Sequence, residues 1–226
     1  MLLLRLKAPF AAFRLLQAGR FRSTTPTISP TAAYGLLLNL AALETRDWSQ
    51  VSKPATPMLK NLPKVEIAIA NWVQPETATL LQQLHNIPVG SIPPEKWERT
   101  EGCKPNIKPV QREILVDFEA IIAAHCDNEL QLRIIAGLNG EHNSERYGLP
   151  FAGDNNFLFD EIEVLSDIKP LYWYSRIADE DLPRPGVCRL TTWIDRDDSS
   201  QTKVELFAPI SKATVKPPTG AWTSLP

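Results

Sequence analysis

The sequence predicts a mixed α+β domain with the strand–helix–strand, strand–helix–strand order of a ferredoxin-like or RRM-like fold. Two apolar helical segments, each with a capping residue, lie between runs of alternating or continuous apolar residues typical of strands. Twenty prolines against ten glycines in 226 residues indicate stiff loops and extended connections. The length suits one elaborated domain or two small ones. We assign one domain to residues 1–210 and an extended or disordered tail to residues 211–226.

Residues 1–31 are open to two interpretations. Leucines at positions 2, 4 and 6 alternate with Arg5 and Lys7, which predicts a strand that ends at Pro9. The same stretch is basic, and no acidic residue precedes Glu44, as in organellar transit peptides. A secretory signal fits less well, since basic residues interrupt the apolar run. We favour the strand; the transit peptide predicts a mature chain that lacks its first ~20–30 residues.

A helix is expected after a basic, threonine-rich connection over residues 10–29. Ser29 is a natural N-cap, Pro30 suits the first helical position, and the apolar pattern continues to about Glu44. Gly35 is expected to let this helix lie close to a sheet or another backbone. The inner face is predicted to consist of Leu36, Leu37, Leu40 and Leu43.

The middle of the chain predicts strands and a projecting arm. After a loop at 45–61, alternation over 64–72 predicts a strand that buries Val65, Ile67 and Ile69. Another extended piece begins near Thr77. Residues 91–109 then contain four prolines, little periodicity and a surplus of basic residues, which predicts a projecting inserted arm at about 86–112.

The rest of the chain repeats the strand and helix signals. The apolar run at 112–125 suits a buried strand or hairpin. A second helix follows, with Asp127 or Asn128 as its cap and Gly140 as its stop. A loop covers 147–165, and two strands at 188–195 and 203–210 are joined by a hairpin turn. The inner face of the second helix is predicted to be Leu130, Ile134, Ile135 and Leu138.

Several classes of protein are disfavoured by the residues present. Cys103, Cys126 and Cys188 are far apart and odd in number, so neither a disulfide framework nor a zinc site is indicated. No apolar run approaches the ~20 residues of a membrane helix. There is no phosphate-binding or nucleophile motif, and no histidine has a neighbour at metal-ligand spacing. We therefore expect no metal, no cofactor and no catalytic residue.

The charges are unevenly distributed, although the net charge is only −2. Basic residues gather before residue 43 and in the arm, and acidic ones in 160–198. This arrangement suits a polyanion on one side and a basic partner on the other; the alternative is a set of solvated faces. Arg14, Arg20 and Arg22 beside Ser23, Thr24 and Thr25 form a good phosphate-binding set, or else a solvated loop.

Two single residues have open roles. His85 suits a general base or an RNA-stacking ring, but a hydrogen-bonded structural histidine is the simpler interpretation. Trp97, between Lys96 and Arg99, offers a stacking surface for a nucleobase or packs the arm onto the body.

Five motifs in order resemble the Cas5 subunit of type I CRISPR Cascade complexes, most closely the Cmx/DevS (Myxan) branch. They are KAPFAAFR (7–14), SPTAAYGLLLNLAAL (29–43), QQLHNIPVG (82–90), NIKPVQREILVD (106–117) and YGLPFAGDNNF (147–157). The resemblance implies a RAMP domain with a thumb-like arm, in a prokaryotic cytoplasm. It also implies a non-catalytic subunit that binds the 5′ handle of the CRISPR RNA. Its implied neighbours are a backbone subunit, a large subunit and target DNA.

The assignment of individual RNA contacts is our own inference from this resemblance. We expect RNA to be splayed over the sheet and clamped by basic loops. The predicted contacts are Lys7, Arg14, Arg20, Arg22, Thr24, His85, Lys104, Asn106, Lys108 and Arg112. Some relatives cut precursor RNA without metal, using tyrosine, lysine and histidine. We do not find this set of catalytic residues in the sequence, because His85 and Tyr34 lie in separate motifs. A metal-independent nuclease that processes precursor CRISPR RNA is therefore kept only as the alternative function.

Overall fold

The computed structural model describes residues 1–15, 21–50, 57–84, 108–142, 146–178, 184–196 and 198–226. The chain forms ten strands and two α-helices within these ranges. In order they are β1 (Leu2–Ala11), β2 (Phe21–Arg22), α1 (Pro30–Leu40), β3 (Val65–Val73), β4 (Glu76–Leu84), β5 (Lys108–His125), α2 (Asn128–Leu138), β6 (Glu161–Val164), β7 (Tyr172–Arg176), β8 (Cys188–Trp193), β9 (Lys203–Pro209) and β10 (Thr223–Leu225). The α+β class predicted from the sequence is confirmed.

One mostly antiparallel sheet organises the chain. Its strands follow the order β6-β1-β5-β3-β7-β9-β8, with β10 beside β3 and with β2 and β4 beside β5. The 18-residue β5 is the longest strand, and it pairs with β4 at its start and with β1 and β3 towards its end. The paired β4 and first half of β5 form a ribbon beyond the body, at the base of the predicted arm. Residues 86–107 of that arm lie outside the described residues.

The first strand is confirmed, but it does not end at Pro9. It runs to Ala11 between β5 and β6, with its even-numbered leucines buried. The register passes from Ala8↔Phe118 to Phe10↔Val116 and skips Pro9, which has no N–H to donate. The skipped partner, Asp117, has φ 52°, a left-handed conformation that interrupts the ladder opposite the proline.

The first helix begins as expected and ends early. The Ser29 hydroxyl accepts the Ala32 N–H, with Pro30 at the first position. The expected end near Glu44 is wrong, because α1 ends at Leu40. Ala42 adopts φ 51°, and the Leu43 N–H donates to the Leu38 carbonyl in a Schellman-type closure. Since alanine rather than glycine takes this conformation, the sequence carries no stop signal there.

The second helix follows the prediction at both ends. The Asp127 carboxylate accepts the Leu130 N–H at 2.7 Å, and Gly140 has φ 73° just beyond the helix. Leu130 and Ile134 are buried, and the partly buried Ile135 and Leu138 also pack against the core.

Close helix approach depends on a different glycine from the one predicted. A Cβ at Gly35 would meet nothing within 4 Å, so the expected role of this residue is wrong. A Cβ at Gly137 would lie 1.8 Å from the Leu40 carbonyl oxygen. Gly137 therefore sets the distance between α2 and the end of α1.

Both faces of the sheet are covered over its centre. The larger core lies between the sheet and the helices and includes Leu4, Ile67 and Ile122. The smaller core lies on the other face, where Leu171, Trp173 and other residues of the C-terminal part cover Leu3, Ala68, Ala70, Ile121 and Ala123. The alternation in β3 thus predicted one buried face, whereas its alanines are buried as well.

The C-terminal third of the chain contains more structure than expected. Strands β6 and β7 were not predicted, whereas the β8–β9 hairpin is confirmed. The tail after residue 210 is extended in part but not disordered, because β10 pairs with β3 and Leu225 is buried. The Tyr34 hydroxyl donates towards the Pro63 carbonyl at 2.8 Å and the Pro226 carbonyl at 3.1 Å.

The two cysteines that the structure describes, Cys126 and Cys188, are free thiols, and Cys103 lies outside the described residues. In the described part of the chain, neither helix has the length and apolar character needed to cross a membrane.

Candidate nucleic-acid interface

The two ends of the basic connection after β1 are fastened to each other and to β5. The Phe13 N–H donates to the Thr24 hydroxyl at 2.9 Å, and the Thr25 N–H donates to the Phe13 carbonyl at 2.9 Å. The Thr24 N–H in turn donates to the Glu113 carboxylate at 3.0 Å. Thr24, predicted to contact RNA, therefore has its hydroxyl engaged in holding the connection, and the backbones of Arg14 and Thr24 pair in an isolated antiparallel β-bridge.

Three of the predicted arginines come together at the β2–β5 pairing. Parallel pairing places Arg22 opposite Arg112. Burial, and then the positive charges of Arg14 and Arg112, lower the pKa of Arg22, while Asp154 opposes the shift. Arg14 is exposed and Arg22 is half-buried. The cluster has excess positive charge, which a phosphate group would neutralise.

Arg112 is buried within this cluster, whereas the sequence analysis assigned it to a projecting arm. It is only 3% exposed and forms an ion pair with Asp154. Its guanidinium also donates to Gln82 at 3.3 Å and lies 5.3 Å from the centre of the Phe157 ring. Burial raises the pKa of Asp154, but hydrogen bonds from Arg112 and Asn156 outweigh it and lower the pKa overall. The ion pair between Arg112 and Asp154 fastens the loop at 146–158 to the ribbon.

An exposed row of side chains crosses the ribbon one residue from this pair. Phe21, Gln111 and Leu81 are in register on three neighbouring strands and therefore point to the same face. Phe21 is 45% exposed and Leu81 is 69% exposed. Arg22 and Arg112, one residue along the same strands, point to the opposite face, so this ring is exposed on the other side of the ribbon from the arginine cluster. Phe21 was missed in the sequence, although its position between Arg20 and Arg22 was the available signal.

The other predicted contacts are not brought into this cluster. Lys7 is exposed on β1, in register with Glu119 and Glu161, seven residues along β5 from Arg112. Lys108 begins β5. The remaining predicted contacts lie outside the described residues: Arg20, His85, Lys104 and Asn106, as does Trp97.

We expected RNA to lie across an exposed sheet face, but the face away from the helices is covered at its centre. That face carries the smaller core at its centre. Beside this core, Arg5 pairs with Glu119 at 2.5 Å and with Glu163 at 3.6 Å. Acidic and basic side chains on adjacent strands neutralise each other there, so the expected polarisation into basic and acidic halves is reduced.

The described histidines and Tyr34 have structural contacts. The His142 ring nitrogen lies 3.2 Å from the Leu40 carbonyl, and His125 stacks on Trp222 with 4.2 Å between ring centres. Burial raises the pKa of Tyr34 to about 12, so its hydroxyl stays protonated. Within the described residues, no group of three or more possible metal ligands occurs.

The sequence and fold were compared with known proteins. Residues 1–139 match the family model described as "CRISPR-associated protein (Cas_Cas5)". No curated protein sequence matches the chain. A chain of the structure titled "CRISPR RNA-guided surveillance complex" is similar with a TM-score of 0.58 and 12% identity, over 97% of this chain and 95% of that chain. A second structure, "Crystal structure of Cas protein", gives a TM-score of 0.49 and 11% identity, over 96% and 99%. At 12% identity, the first likeness shows a shared fold.

Proposed function

Because the chain belongs to the CRISPR-associated Cas5 family, whose model covers more than half of it, we propose that it is a non-catalytic subunit of a type I CRISPR surveillance complex. In this role it binds the 5′ handle of the CRISPR RNA. The similar fold of a chain from a structure titled as such a complex supports the assignment. The five sequence motifs favour the Cmx/DevS branch.

The observation that carries the RNA-binding role is the cluster of Arg14 and Arg22 at the pairing of β2 with β5. Guanidinium groups pair with phosphates, and a positively charged surface that follows the backbone is a common way to hold single-stranded RNA. Arg112 and Thr24 take part indirectly, since their own bonds fix the positions of β2 and the basic connection.

The fold suits the architecture implied by the resemblance. The four neighbouring strands β6-β1-β5-β3 are linked through α1 and α2 in βαββαβ order, which supports a ferredoxin-like RAMP core. The ribbon of β4 and β5 supports the base of a thumb-like arm over residues 86–112. A backbone subunit and a large subunit near the entry of target DNA are the proposed neighbours.

The test measures binding of the full chain to RNA of the host's CRISPR repeat across a salt series. For single-stranded RNA, each phosphate contact contributes a slope of about −0.7 to the logarithm of affinity against the logarithm of salt. Replacing both Arg14 and Arg22 with alanine should make the slope shallower by about 1.4 and weaken binding at low salt.

A charge-matched control uses Arg189→Ala with Lys203→Ala, two exposed cations on β8 and β9. This control should keep the wild-type slope. If both double variants keep it, or if the wild-type chain does not bind the repeat RNA, the proposed role of this cluster is wrong.

A further inference from the structure

A large cleft lies between α1, the loop at 146–158 and the end of β8. Its volume is about 810 Å³, within the range of clefts that hold substantial ligands. The floor contains Ile28 and Leu36 from the N-terminal half and Trp193 from β8. The cleft is next to the arginine cluster, because Arg14 lines it as well.

The charged side chains at this cleft are all of one sign. Arg14, Arg46 and Arg196 line it, and no carboxylate does so among the described residues. Arg46 is partly neutralised, since Glu44 binds it at 2.8 Å and its guanidinium lies over the rings of Trp48 and Tyr147. Arg14 and Arg196 are exposed. In a chain with net charge −2, this local excess favours an occupant that carries negative charge.

The loop at 146–158 adds an exposed apolar rim. Tyr147, Leu149, Phe151 and Leu158 all line the cleft, and each is between 41% and 70% exposed. A concentration of large apolar side chains on one rim is typical of a protein interaction site. The aliphatic Leu149 and Leu158 offer no stacking face to a nucleobase, whereas they suit the apolar anchors of a polypeptide.

The rim is held in place before any partner binds. The Asn39 side chain donates to the Gly148 carbonyl at 3.0 Å, which links the loop to α1. The Ala12 N–H donates to the Ala152 carbonyl at 3.0 Å, which links the loop to the end of β1. Gly153 makes this approach possible, since it has φ 80° and a Cβ there would lie 2.4 Å from the Ala12 carbonyl oxygen. A preformed rim reduces the ordering cost of association.

We propose that this cleft docks an amphipathic segment of a neighbouring protein subunit, one that carries large apolar anchors flanked by aspartate or glutamate. The anchors fill the floor between α1 and the loop, and the carboxylates pair with Arg14 and Arg196. The inference rests on the proposed function, since it assumes that the chain works within a multi-subunit complex. It adds the docking surface and the chemistry of the partner.

The test places a photo-crosslinker, p-benzoylphenylalanine, at position 149 in the tagged full chain expressed in its source cells. The matched control places it at position 132, because Leu132 on α2 is 67% exposed, Leu149 is 70% exposed, and Leu132 does not line the cleft. After irradiation and purification, position 149 should yield an RNase-resistant adduct with a polypeptide of the complex, and position 132 should not. Mass spectrometry of the adduct should identify a peptide with apolar and acidic residues.

Three outcomes overturn the docking proposal while the proposed function stands. They are an RNase-sensitive adduct at position 149, no adduct at that position in an RNA-containing complex, and a peptide adduct without acidic residues. A chain that purifies without RNA or other subunits instead overturns the proposed function, and this inference with it.

Charge-introducing variants give a second measurement of the same surface. Leu149→Glu should weaken association with the subunit about tenfold, because it removes an apolar contact at the rim and places a negative charge beside the partner's acidic residues. Leu132→Glu should leave it unchanged, and both should melt like the wild type, because each side chain is mostly solvent-exposed. Equal effects of the two substitutions would overturn the docking proposal.

Discussion

Replacing Gly137 with alanine tests the close contact between the two helices. The new Cβ would lie 1.8 Å from the Leu40 carbonyl oxygen and 3.0 Å from the His142 ring nitrogen. An ordinary carbon–oxygen contact is about 3.3 Å, so α2 must move by about 1.5 Å. The Arg133 guanidinium on α2 also donates two hydrogen bonds to the Ala41 carbonyl at the end of α1, from Nε at 3.2 Å and from Nη2 at 3.0 Å. Displacing α2 would strain or break these bonds.

The magnitude follows from three contributions. Overpacking costs about 1–3 kcal/mol, and loss of a charge-assisted hydrogen bond costs about 1.5–3 kcal/mol. The higher helix propensity of alanine returns about 1 kcal/mol. These contributions give a range of about 1.5–5 kcal/mol, and we expect Gly137→Ala to lower the free energy of unfolding by about 3 kcal/mol, near the middle of that range. In urea titrations followed by circular dichroism, the midpoint should fall by about 1–2 M.

The same substitution in the other helix is the control and should have the opposite sign. Gly35 lies inside α1, and a Cβ there would meet nothing within 4 Å. Gly35→Ala should therefore stabilise the chain by about 0.5–1 kcal/mol through helix propensity alone. If Gly137→Ala raises the urea midpoint as Gly35→Ala does, the reasoning about the helix contact is refuted.

Three further perturbations test the ion pair, the acid dependence and the first strand. Asp154→Ala leaves the Arg112 guanidinium buried without its carboxylate, and it should lower the free energy of unfolding by about 3 kcal/mol in urea titrations. Hydrogen bonds from the Arg46 side chain lower the pKa of Glu44 to about 2 from 4.5. Its contribution to stability is thus complete above pH 4.5 and lost as the pH falls towards 2; Glu44→Gln should remove this part of the acid dependence. Deleting residues 1–23 removes a strand that is paired on both sides, and should abolish cooperative unfolding by circular dichroism.

Each of these three has an outcome that would contradict it. Asp167→Asn is the control for Asp154, because Asp167 is exposed, and equal losses of stability would argue against the buried pair. The Glu44 effect should be small, since both partners are about one-third exposed and solvent screens them. An acid-unfolding midpoint unchanged by Glu44→Gln would contradict the ion pair. A well-folded chain without its first 23 residues would show that β1 is dispensable.

The predictions from sequence succeeded where a local signal determined the outcome. Capping by Ser29 and Asp127, and the left-handed conformation of Gly140, depend on a few adjacent residues. The alternation in β1 and the core of β3 needed only the period of a strand. The predictions failed where a distant contact decided, as for the early end of α1 or for Pro9, which continues a strand opposite an irregular partner residue.

The candidate site shows the same division. The sequence selected Arg14, Arg22 and Arg112 as basic residues, but Arg22 meets Arg112 through the parallel pairing of β2 with β5, about 90 positions apart, and Arg14 joins them through its β-bridge to Thr24. The burial of Arg112 depends on Asp154, which the sequence placed in an unrelated loop. Phe21 was available to sequence reasoning as an aromatic residue between two arginines, whereas its exposed row with Leu81 required the strand register.

The α+β class, the caps of both helices and the Cas5 family could be inferred without a structure, because they are encoded in short stretches of adjacent residues and in motif order. Which charges meet, which side chains stay exposed and where the cleft lies became clear only from the folded chain. Those properties depend on segments far apart in the chain that packing brings within a few ångströms, as when the loop at 146–158 closes against α1 and β1. The arginines at that cleft come from three such segments, and their common location is the structure's own contribution.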